Sequence, residues 1–144
     1  MWQIGLTSCA SVIPLTEISK PSNCKTETNG LSGTIASELR ELSSLRMLAL
    51  ENGVISGVIP SELGLISALE VVDLNFNLIG GSIPEAIYGL TNLRQLGLND
   101  NLLTGSISSR IGQLSLLTFF QVQNNKLTGT IPSSMGALSN LGKS

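Results

Sequence analysis

Apolar positions along this chain recur every 24 residues. Blocks that begin at Leu42, Ile66, Leu90 and Leu114 carry Leu45, Leu69, Leu93 and Leu117 at their fourth position. Their seventh position holds Leu48, Val72, Leu96 and Phe120, and their ninth holds Leu50, Leu74, Leu98 and Val122. An earlier block from Ile18 fits from Asn29 onward and poorly before it. Gly33, Gly57, Gly81, Gly105 and Gly129 fill the sixteenth position, and Ile35, Ile59, Ile83, Ile107 and Ile131 the eighteenth. A period of this length predicts a solenoid, in which no repeat buries its own apolar face and only the stack does.

Within a block, the alternation at the seventh and ninth positions is that of a strand, whose successive side chains point to opposite faces. Leu96 and Leu98 are therefore expected inside, with Gly97 facing out. One strand per block, stacked about 4.8 Å from the next, makes a parallel sheet. Asparagine at the twelfth position (Asn77, Asn101 and Asn125, with Asn29 earlier) is suited to a bend, where its amide satisfies backbone groups that water cannot reach. Gly53 breaks that column and cannot make those bonds, so its block is expected to be looser there or to hold a water. The tails SELGL, EAIYG, SRIGQ and SSMGA leave room for only a turn or a short 3₁₀ segment.

Composition agrees with a stack of aliphatic layers. Apolar residues make up 42% of the 144, but aromatics only 3% and charged residues 12%. The core is therefore built of Leu, Ile and Val, and a filled core leaves no room for a lipid or cofactor pocket. A net charge of −2 with scattered Lys and Arg gives no footprint for nucleic acid. No run of 18 apolar residues exists to insert in a membrane.

Without histidine, nucleophile triads and histidine-containing metal sites drop out. Glu51, Asp73 and Asp100 are the carboxylates expected on the outward face, and they read as a solvated acidic surface. The ending Ala137 to Ser144 fits a relaxed phosphate-loop pattern, but Leu138 and Leu141 are repeat columns and no helix follows. No catalytic residue, metal site or cofactor is expected, and the chain is read as a non-enzyme. It also contains no N-x-Ser/Thr glycosylation acceptor.

The columns L-x-x-L-x-L-x-x-N-x-L-x-G-x-I-P resemble the plant-type leucine-rich repeat, over residues 18 to 144. Ala36 and Ser108 depart from its proline column, and Gly53 from its asparagine column. The resemblance implies an α/β solenoid: a right-handed, curved superhelix with a parallel sheet on its concave face and short 3₁₀ or irregular segments on its convex side. Five repeats are expected at 18–41, 42–65, 66–89, 90–113 and 114–137, with 138–144 a truncated sixth. Residues 1–17 are expected to form a partial N-terminal cap, since WQIGLTSC (Trp2, Gly5, Leu6, Cys9) is similar to the lead-in of such repeats. In that family this cysteine commonly pairs with one before the tryptophan, which this chain lacks, as a chain truncated at Met1 would. Cys24 is the other candidate partner of Cys9; alternatively, Cys24 is a small buried hydrophobe in a core column.

The resemblance also implies a protein- or peptide-ligand-binding module, as in the ectodomains of receptor-like kinases and receptor-like proteins or in polygalacturonase-inhibiting proteins. The expected setting is extracellular, as a monomer or in a hetero-complex. The alternatives are an intracellular scaffold, cytoplasmic with reduced cysteines, or the repeat part of a receptor-like serine/threonine kinase whose kinase domain lies elsewhere. Binding is expected on the concave strand positions: Met47, Glu51, Val71, Asp73, Phe76, Gln95, Asp100, Phe119 and Gln121. Phe76 and Phe119 stand out there, because large aromatics are enriched in contact hot spots.

Overall fold

The computed structural model describes residues 23–25 and 31–143. Five short strands, β1 (Asn23–Lys25), β3 (Met47–Ala49), β5 (Val71–Asp73), β6 (Gln95–Gly97) and β7 (Phe119–Gln121), form one parallel sheet in chain order. Its register is set by the repeat: Cys24, Leu48, Val72, Leu96 and Phe120 stand opposite one another. A second parallel pair, β2 (Ser32–Thr34) and β4 (Val54–Ser56), follows the bend. Its pairing continues down the stack through Leu78 N–H to Ile55 O, Leu102 to Ile79 and Lys126 to Leu103, each 2.8 Å. Each repeat thus makes two turns of backbone pairing with its neighbour where the sequence pattern showed one.

The columns are filled as their chemistry requires. Leu45, Leu48, Leu69, Leu74, Leu93, Leu96 and Leu98 are all buried in one continuous core. The asparagine column crosslinks the bends. Asn101 Oδ1 accepts Ile79 N–H at 3.0 Å, while its Nδ2 donates to Leu74 O at 2.9 Å and to two carbonyls of its own bend. Asn77 and Asn125 repeat that pattern one repeat away on either side. Gly53 does not leave the looser, water-sized gap expected of it. A Cβ there would lie 2.8 Å from Asn77 Oδ1 and 2.9 Å from Leu31 O, so the neighbouring repeats already close over the position.

Among the described residues, five 3₁₀ turns close the repeats, the first at Ser37–Glu41 and the last at Ser133–Ala137. Pro60, Pro84 and Pro132 precede three of them in extended conformation, where a missing N–H costs nothing. Ser108, one of the two residues that replace proline, puts its extra donor to use. Its N–H reaches the Tyr88 hydroxyl at 3.4 Å, and its Oγ accepts Arg110 N–H at 3.2 Å. Tyr88 fills a column that holds Gly64, Gly112 and Gly136 in other repeats, and it is fully buried. That burial pushes its phenol pKa above the usual value.

Candidate ligand-binding face

The outward positions of the strands assemble into rows because strand register repeats every 24 residues. Met47, Val71, Gln95 and Phe119 form the first row, each directly opposite the next. Gln95 and Phe119 are exposed, Met47 and Val71 half-buried. The second row runs Ala49, Asp73, Gly97, Gln121. Here the structure departs from a uniformly open face, since Ala49 and Gly97 are buried.

The reason lies in the missing side chain at Gly97. A Cβ there would fall 2.7 Å from Asn75 Nδ2 and 2.9 Å from Asp73 Oδ1, so those two residues lean across the gap. Asn75 Nδ2 comes within 3.5 Å of Gln121 Oε1, on the far side of β6. Asn75 and Asn99, two residues beyond Asp73 and Gly97 and so on the outward side by strand alternation, are buried as well. Asn75 Oδ1 accepts Asn99 N–H at 2.9 Å, making a second amide crosslink beside the first. Asn99 Oδ1, in the equivalent place, is buried with no donor.

The next positions carry the bend. Asn52, Phe76, Asp100 and Asn124 all have positive φ, between 54° and 59°. Asn and Asp tolerate this left-handed conformation, whereas a bulky ring seldom does. The run of Asn, Asp and Asn in that column was the signal for it, and Phe76 masked the pattern. Phe76 is 50% exposed and Phe119 43%. The two rings stand in different rows of the same face.

Charges on this face divide into paired and unpaired groups. Arg46 clasps Glu70, with its Nη2 2.6 Å and its Nε 2.8 Å from Glu70 Oε1. Asp100 is fixed by two amides, Asn99 Nδ2 at 2.6 Å and Asn124 Nδ2 at 2.8 Å. Asp73 Oδ1 accepts only Asn75 N–H, at 3.1 Å. Glu51, Asp73 and Asp100 are half-buried, and among the described residues none of the three is joined to a cation. Among the described residues, no group of three or more His, Cys, Asp or Glu is placed to hold a metal, and no helix is long and apolar enough to cross a membrane. Cys9 lies outside the described residues, and so does its pairing with Cys24, whose backbone stands opposite Leu48 in β1.

The sequence profile for "Leucine Rich Repeat" matches residues 68–90, 92–114 and 116–138. Among curated proteins no match was found. Solved structures are similar. A plant peptide hormone receptor, RGFR1 in complex with RGF2, superposes with a TM-score of 0.78 at 36% identity, covering 79% of this chain and 18% of that one. The BIR3–SERK2 complex from Arabidopsis thaliana gives 0.69 at 39% identity, covering 72% and 56%. The leucine-rich-repeat ectodomain of the receptor kinase SOBIR1, also from Arabidopsis thaliana, gives 0.74 at 34%, covering 78% and 61%. This chain therefore spans between 18% and 61% of the length of those three.

Proposed function

This chain is built of plant-type leucine-rich repeats, and from that premise we propose that it is a non-catalytic module that binds a protein or peptide ligand on the outward face of its sheet. The observation that carries this reading is the contrast between a filled core and a sheet face that leaves Phe76 and Phe119 about half exposed. Exposed aromatic rings on a rigid face are enriched at protein contacts. The similar structures supply support of another kind: one is a peptide hormone receptor with its peptide, another a complex of two proteins.

In this reading the sheet is the concave side of a right-handed coil, and the 3₁₀ turns are its convex side. Right-handedness follows the general rule for crossovers between parallel strands. The repeats are assigned to 18–41, 42–65, 66–89, 90–113 and 114–137, and residues 1–17, assigned to the cap, lie outside the described residues. Met47, Glu51, Val71, Asp73, Phe76, Gln95, Asp100, Phe119 and Gln121 form the contact surface. The parent protein is receptor-like and extracellular, and its ligand complex is heteromeric. Two free thiols on titration of the native protein would instead favour the intracellular scaffold.

The test is selection of binders from a displayed library of random peptides, followed by substitution. Phe76→Ala and Phe119→Ala are each expected to weaken a selected binder by about tenfold or more, a loss of about 1.4 kcal/mol. The thermal midpoint should move little. A collapsed midpoint would make these rings core and remove the surface.

A further inference from the structure

We infer that the surface around Phe76 receives a cationic side chain, a guanidinium or ammonium group, from a peptide whose apolar residues lie along Met47, Val71 and Phe119. This rests on the binding face proposed above and adds the chemistry of the ligand. Two independent features meet at this place. One is an exposed aromatic ring, whose face attracts cations within about 6 Å of its centre. The other is the local charge. Backbone bonds set Phe76 between Asn52 and Asp100 of the adjoining repeats, with Glu51 one residue before Asn52. Asp73, three residues before the ring, stands on the same side of the strand as Val71, next to the apolar row.

Among the described residues, none of these carboxylates is joined to a cation. Arg46 is committed to Glu70, and Arg110 lies against Glu85 in the 3₁₀ turns. Arg94 stands at the head of β6, before the first row, and not among the three carboxylates. The amides of Asn99 and Asn124 hold the Asp100 carboxylate in place on the bend next to that of Phe76, so little side-chain freedom is lost when a ligand cation arrives. A ligand strand laid across the rows would set one side chain on Val71 and the next side chain of the same face, two residues along, toward Asp73, which selects an apolar and a basic residue separated by one position.

The experiment is calorimetric titration of the whole chain with three synthetic peptides of equal length. They repeat the unit leucine, serine, arginine, serine, with the arginine replaced by glutamine in the second peptide and by glutamate in the third, so that one face of the extended peptide carries leucine and the variable residue in turn. The arginine peptide is expected to bind about tenfold tighter than the glutamine peptide, and the glutamate peptide weakest. Its advantage should shrink when salt rises from about 50 to about 300 mM. Phe76→Leu and Asp73→Asn should each reduce the advantage about threefold or more without lowering the thermal midpoint. Equal or tighter binding of the glutamate peptide, still weakened by Phe119→Ala, overturns the cation assignment and leaves the binding face standing. Binding of none of the three, or binding indifferent to every substitution on the face, overturns both.

Discussion

At Phe76 the chain keeps an aromatic ring where its own repeats prefer Asn or Asp. The left-handed conformation there, φ 56°, costs a residue with a bulky side chain about 1–2 kcal/mol. Asparagine relieves much of that cost, because its short amide bonds locally to the backbone. Phe76→Asn is therefore expected to raise stability by roughly 1 kcal/mol in urea denaturation. The same substitution removes half-exposed aromatic area, so ligand affinity should fall as stability rises. A stability loss would mean that the ring packs more than its exposure indicates. Nothing in the periodicity announces this strain, since period reports which side a residue faces and not its φ. The neighbours Asn52, Asp100 and Asn124 did carry the information, as left-handed-tolerant residues in one column.

Among the elements, the 3₁₀ turns show how two departures from the repeat compensate each other. Tyr88 stands in a glycine column and Ser108 in a proline column, and each looks like local decay when read alone. Together they form a contact, Ser108 N–H to Tyr88 hydroxyl, that a proline at 108 would delete. Proline at an extended, pre-helical position ordinarily stabilises by about 0.4–1 kcal/mol through the unfolded chain. Ser108→Pro is expected to destabilise instead, by about 1–3 kcal/mol, since it leaves a buried hydroxyl without its donor and crowds it with the ring. In a Tyr88→Phe background the same change should cost markedly less. A double-mutant cycle by chemical denaturation measures the coupling, and additive effects would show that the two residues act independently. Sequence reading caught the departure at Ser108 but neither Tyr88 nor their pairing, because the two lie 20 residues apart, off the 24-residue register.

For the whole molecule, legibility follows from one-dimensionality. Register fixed each strand opposite its copy 24 residues away, so the position of Leu48 implied those of Val72, Leu96 and Phe120. What escaped was lateral: Asn75 lies across the space that Gly97 leaves, a relation between side chains that no column records. The same one-dimensionality governs stability. In a stack, each layer is held only by its neighbours, so a cavity in a middle layer weakens both of its interfaces. Leu98 is 1% exposed between Leu74 and Val122, while Ile131, toward the end of the stack, is 76% exposed. Leu98→Ala should cost about 2–5 kcal/mol, and Ile131→Ser no more than about 0.5 kcal/mol. Urea midpoints followed by circular dichroism compare the two directly. If Leu98→Ala lowered the midpoint as little as Ile131→Ser, the layers would not share one core. If it split the transition in two, the repeats on either side of Leu98 would be folding as separate units.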